Sequence, residues 1–247
     1  MRHAIIDAGD VRLRVQHHRA PAPSGPPVLL IHGMAADHRT WRRTVRALLA
    51  AGRDTVTYDQ RGHGRSDHSA EYLLDELAAD AARVAEHAGL GRFDVVGHSL
   101  GGQAALRLAW RLPDGVRRLV LEEMPPVALE AEQVAESMDL PLTARRVWLG
   151  LKQIALTPGA LTRFDKSMMD SVSPQFQPDP VWWERLSATS QAALVISGGP
   201  GDFLRPEYLR LVADALPHGT YTELRGGHTV HREAPGAFER AVLDFLR

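Results

Sequence analysis

Three observations predict an α/β fold built on a mostly parallel sheet with helices on both faces. Short strand-forming runs recur at 28–31, 55–58, 93–96, 118–121, 194–197 and 220–224, the first of them wholly apolar, as in sheets whose strands are covered on both sides. Between them, at 41–51, 73–88, 101–111, 206–216 and 237–246, apolar residues recur three and four apart, the spacing of one helix face. Strand and helix alternate, and a helical crossover between neighbouring strands returns the chain to the same end of the sheet, so the pairing is parallel.

The elements follow in order. Val11, Leu13 and Val15 alternate with Arg12, Arg14 and Gln16, and Asp7-Ala8-Gly9-Asp10 separates them from Ile5-Ile6; this predicts an opening hairpin. A proline-rich connection over 21–27 leads into the first central strand, 28–31. Strand–helix units then run to Leu121. From Met124 to about Ala192 the alternation stops, a span far beyond the usual connection of about 2–6 residues. Helical patterns at 129–138, 144–156, 159–172 and 181–188, separated by Pro141, Pro158, Pro174, Pro178 and Pro180, predict an inserted helical cap above the strand ends. The expected organisation is a core of residues 1–124 and 192–247 with the cap, 125–191, as an insertion rather than an independent domain.

Composition narrows the chemistry. A formal net charge of -1 over 247 residues gives no global basic field for nucleic acid or an anionic membrane. With no cysteine there is no disulfide framework and no thiolate nucleophile. Met1 to Asp7 lacks a signal-peptide core, and no run approaches the ~18 apolar residues of a membrane span. The expectation is a cytoplasmic bacterial protein, monomer or homodimer, that acts on a small molecule without nucleic acid or membrane insertion. Lys152 and Lys166 are the only lysines.

Gly97-His98-Ser99-Leu100-Gly101 follows the apolar run 93–96 and precedes an alanine-rich helical segment. A serine hydroxyl that attacks carbon must stand clear of its own backbone, and a sharp strand-to-helix turn flanked by glycines achieves this. His32-Gly33-Met34 after the strand ending at Ile31, the loop Asp59-Gln60-Arg61-Gly62-His63-Gly64-Arg65-Ser66-Asp67, Gly198-Gly199-Pro200-Gly201-Asp202 and Gly226-Gly227-His228 complete the set. In this order the motifs make the chain resemble the α/β-hydrolase fold superfamily, specifically its small, capped esterase and haloperoxidase-like serine hydrolases.

The resemblance implies Ser99 as nucleophile, His228 as general base and Asp202 as the acid that orients it. Glu123, at the end of the preceding strand, is the alternative acid, since some relatives hold theirs there. It also implies an oxyanion hole from the backbone N–H groups of Leu100 and Met34, and a pocket walled by Trp41, Met124, Trp148, Phe164 and Met168. His231 reads as packing around the site, and His32, His63 and His98 as residues bonded to loop backbone. No metal or cofactor is needed. The expected reaction is hydrolysis of a carboxylic ester, thioester or lactone of a small, largely apolar substrate through an acyl-Ser99 intermediate. The same residues also suit C–C cleavage, perhydrolysis, or elimination and cyclisation, and a reading from another class is a non-hydrolytic ligand-binding module.

Overall fold

The computed structural model describes residues 2–130, 159–200 and 204–247. Eight strands form one sheet in the order β1-β2-β4-β3-β5-β6-β7-β8. The opening hairpin is β1 (Arg2–Asp7) and β2 (Arg12–His18), antiparallel, with β2 also antiparallel to β4 (Thr55–Tyr58). From β4 onward the ladders are parallel: β3 (Val28–Ile31), β5 (Phe93–His98), β6 (Val116–Glu122), β7 (Ala192–Ser197) and β8 (Gly219–Glu223).

Side chains alternate across a strand, so each central strand feeds two cores. Leu29, Ile31, Val95 and Leu121 join a cluster with Leu77 and Val84 of α2 (Leu74–His87) and Ala104 and Leu108 of α3 (Leu100–Arg111). Val28, Leu30, Val96 and Val120 join the opposite cluster with Leu48 of α1 (Arg42–Ala50) and, from near the C-terminus, Phe238 and Val242. This two-sided burial is why the strands read as apolar runs.

Between β6 and β7 the described residues form a 3₁₀ turn, Leu161–Arg163, then α4 (Ser167–Val172), a second 3₁₀ turn, Ser173–Phe176, and α5 (Pro180–Ser187). The expected single helix over 159–172 is broken. Asp165 accepts hydrogen bonds from the hydroxyl of Tyr72 at 2.6 Å and from the amide and hydroxyl of Ser167, while its own amide donates to the carbonyl of Gly62. The expected helix 144–156 and most of 129–138 lie outside the described residues. After β7 come α6 (Pro206–Ala215), a short α7 (Val230–Glu233) that periodicity did not predict, and α8 (Pro235–Phe245), which starts on proline, a residue suited to a helix's first turn.

The chain leaves β3 toward β4 on one side and reaches β5 on the other. The C-terminal ends of β3 and β5 therefore flank a topological switch point, where ligands of such sheets bind. Ser99 follows β5 there.

Candidate active site

The turn at Ser99 is enforced by packing. A Cβ on Gly97 would lie 2.3 Å from the carbonyl oxygen of Gly101, and one on Gly101 would lie 2.3 Å from that of Ile31. Only glycine lets β5, α3 and β3 approach this closely. Ser99 pays for the sharp turn with φ 52° and ψ -119°, a conformation that L-residues seldom adopt and that is retained where surrounding structure dictates it. Its amide donates to the carbonyl of Glu122 at 2.8 Å, extending the β5–β6 ladder to the serine itself.

His228 lies on the turn after β8, with its side chain 23% exposed. The hydroxyl of Ser99 donates to Nε2 of His228 at 3.1 Å, and Nδ1–H of His228 donates to Oε2 of Glu123 at 3.2 Å. Glu123 is fully buried, and its other oxygen accepts the amide of Gly198 at 2.6 Å. It reaches this position because the chain kinks to φ 47° just past β6. Asp202 lies outside the described residues. Leu100 is the first residue of α3, so its N–H has no partner within the helix. The amide of Met34 follows β3 and has no hydrogen-bond partner among the described residues. Both expected oxyanion donors are thus available.

Beside this group is a second one. Glu122, adjacent to Glu123 and fully buried, accepts the backbone amide of His231 at 2.8 Å and lies 2.8 and 2.9 Å from its Nδ1. Nε2 of His231 meets the hydroxyl of Thr40 at 2.6 Å. Burial pushes the Glu122 carboxyl up to about 7, and burial also holds the His231 imidazole well below its ordinary value. The pair therefore favours an uncharged state: a protonated Glu122 donating to Nδ1, with Nε2–H of His231 donating to Thr40. Glu122 and Thr40 carry this arrangement, and the sequence reading gave neither a role. A signal was present in two adjacent glutamates and two histidines three residues apart.

His98 packs between the two groups, its ring centroid 4.9 Å from that of His228 and 5.1 Å from that of His231. Its Nε2–H donates to the carbonyl of His228 at 2.7 Å, and burial lowers it to about 3, so it stays neutral. His32 and His63 bond to loop backbone as expected: each meets a carbonyl through Nδ1, of Gly33 and Arg61, and each accepts an amide at Nε2, from Gln60 and Ala35.

The expected pocket walls divide. Trp41 is a correction: it is fully buried in the cluster of Val28, Leu30 and Phe238, because it ends the 3₁₀ turn His38–Trp41 and points under the sheet, where its ring lies against His231. Met124 and Met168 are fully buried in the other cluster, Met124 against Gly102. Phe164 packs on the ring of His63 at 4.9 Å. Trp148 lies outside the described residues. An apolar cavity of about 90 Å³ opens beyond β6, lined by Pro125, Pro126, Phe176 and Trp183 among others.

Asp37, His38 and Asp59 are close enough together to hold a metal ion. Their atoms are already engaged: Arg39 spans both oxygens of Asp37, and Asp59 accepts from the amide and ring of His38 and from the amide of Arg65. Burial pushes the Asp59 carboxyl up, but the hydrogen bonds and charge of His38 outweigh it and hold the group down at about 2.

The sequence profile of the alpha/beta hydrolase fold matches residues 26–164, more than half the chain. The chain belongs to that family. It is 37% identical to the provisionally named carbamate hydrolase RutD of Variovorax paradoxus, over 93% of this chain and 95% of that one. It is 25% identical to the sn-1-specific diacylglycerol lipase ABHD11 of Mus musculus, over 90% of this chain and 81% of that one. Among solved structures, the enol-lactonase of Burkholderia xenovorans superposes with a TM-score of 0.79 at 22% identity, with 99% of each chain covered. These three carry the names of hydrolases, while a 26% identical relative from Mycobacterium tuberculosis carries that of a non-haem bromoperoxidase.

Proposed function

We propose that the chain is a serine hydrolase that cleaves carboxylic esters, including lactones and thioesters, of small and largely apolar substrates, with Ser99 as nucleophile, His228 as base and Glu123 as acid. The observation that carries this reading is the continuous hydrogen-bonded path from Ser99 through His228 to Glu123, beginning at a serine in a strained turn. Ester, lactone and carbamate share an acyl carbon bonded to a heteroatom leaving group. The lipase, lactonase and carbamate hydrolase names among relatives support that common chemistry, and 37% identity to the last makes a carbamate the second substrate class to test.

The steps follow from the geometry. Ser99 Oγ attacks the acyl carbon as its proton passes to Nε2 of His228. The buried Glu123 carboxylate fixes the ring through Nδ1–H and stabilises the imidazolium that forms. The oxyanion meets the amides of Leu100 and Met34. Collapse breaks the bond to the leaving-group oxygen, which takes the proton from Nε2. His228 then deprotonates a water that attacks the acyl-serine, releasing the acid and returning the proton to Ser99. We further propose that residues 125–191 cap the core formed by 1–124 and 192–247.

The test is rapid-mixing hydrolysis of p-nitrophenyl esters of increasing acyl length by wild type and Ser99→Ala. A stoichiometric burst that vanishes in the variant is expected; ester turnover that survives Ser99→Ala would overturn the reading.

A further inference from the structure

A second and larger cavity, of about 550 Å³, lies between the outer face of β2 and helix α1, away from Ser99 and His228. It exists because of the alternation in β2. Leu13 and Val15 are buried in the core, while Arg14, Gln16 and His18 face the other way, and α1 with its preceding turn roofs that polar face instead of leaving it to bulk water. Gln16 pairs across the ladder with Thr57 of β4, and both line the floor.

The charge of this cavity is one-sided. Six arginines line it against two aspartates, in a chain whose net charge is -1. The aspartates are Asp37 and Asp59, already engaged as described above. Arg14, Arg42, Arg46 and Arg65 have no carboxylate partner among the described residues. Arg42 and Arg46 stand one turn apart on α1, a like-charge spacing that is unfavourable unless something neutralises it. Nε of Arg14 is buried without a hydrogen-bond partner. Independently of charge, Gln16 is only 5% exposed and lines the cavity, and its side-chain amide has no protein partner among the described residues. That leaves the amide free to hydrogen-bond a ligand in the cleft.

We propose that this cleft is a binding site for a small polyvalent anion, bearing phosphoryl or clustered carboxylate groups, held by Arg14, Arg42, Arg46 and Arg65 and hydrogen-bonded by Gln16. Guanidinium groups suit it because their planar forks meet phosphate or carboxylate oxygens two at a time. The volume is that of a small-molecule site. A divalent cation is disfavoured here by the unneutralised guanidinium groups.

Isothermal titration of the full chain at fixed ionic strength, with inorganic pyrophosphate and separately with citrate, tests this. Wild type should bind one equivalent of at least one probe, and the stronger of the two identifies the anionic group. Arg42→Gln/Arg46→Gln, on an exposed helix face, should weaken binding by about 10-fold or more while melting no lower than wild type. Gln16→Leu removes no charge and should also weaken it several-fold; Ser99→Ala should bind as wild type does. Absence of binding of either probe at millimolar concentration and low salt would overturn the proposal. So would binding that both cleft variants retain, or weak multi-site binding indifferent to Gln16, which would mark a diffuse field.

Discussion

Two glutamates stand side by side at the end of β6, and each holds a different histidine with a different hydroxyl beyond it. Glu123, His228 and Ser99 form one path; Glu122, His231 and Thr40 form the other. The functional groups are the same, and the surroundings are not. His228 is 23% exposed, whereas His231 is sealed, with Trp41 against its ring. Ser99 is lifted clear by its turn, while Thr40 is buried inside a 3₁₀ turn. A carboxylate, an imidazole and a hydroxyl are thus not enough for chemistry. On the proposed reading, access to the imidazole and a hydroxyl lifted clear of its backbone separate a reactive path from one that fastens the fold.

The comparison can be broken most forcefully at the hydroxyls. Ser99→Ala should lower kcat for ester hydrolysis by at least about 10⁴-fold, because members of such a unit act together. Burst and steady-state kinetics measure this, and a loss under tenfold would place the chemistry elsewhere. At the acids, Glu123→Gln should cost on the order of 10⁴ in kcat through the wrong histidine tautomer, and Asp202→Asn less than tenfold. The reverse ranking of the two variants would return the acid role to Asp202.

The sealed path should speak through stability and pH. Glu122 is raised from 4.5 to about 7, so between those values the folded state holds a proton that the unfolded state has released. Its contribution is complete below pH 4.5 and is lost as pH rises through 7, up to about 3 kcal/mol. Glu122→Gln mimics the protonated acid and lacks this loss. Relative to wild type it should gain stability from pH 5 to pH 8 in urea unfolding, since the opposing contribution of buried His231 is common to both proteins. A gap independent of pH would mean that Glu122 is ionised throughout. Smallest of all, Thr40→Val should cost about 1–3 kcal/mol by leaving Nε2 of His231 unpaired, with kcat within a few-fold of wild type; a kcat loss near that of Ser99→Ala would erase the distinction between the paths.

Much of this was legible in the chain. The central strands announced themselves because burial on both faces favours short apolar runs, of which 28–31 is the clearest, and the serine turn did so because its glycines are sterically obligatory. The division of labour between the two glutamates was not legible. Glu122-Glu123 is chemically uniform, and which acid meets which histidine depends on a positive φ at Glu123 that no propensity encodes. Trp41 misled for a related reason: its direction is set by the 3₁₀ turn before α1, and that turn is started by Asp37, whose side chain accepts the amide of Arg39. The polar face of β2 was visible as alternation, but the helix that roofs it comes from a part of the chain that local pattern cannot connect to it.

The stacking of Trp41 on His231, with ring centroids 4.2 Å apart, makes the sealed path visible from outside. A protonated imidazole in contact with an indole quenches its emission, and a neutral one does so far less. As long as the interior stays closed, the light emitted by Trp41 should be indifferent to pH across the range in which exposed histidines titrate. The difference in emission between wild type and Trp41→Phe then acts as an optical seal, dimming only when the interior opens enough for His231 to take up a proton.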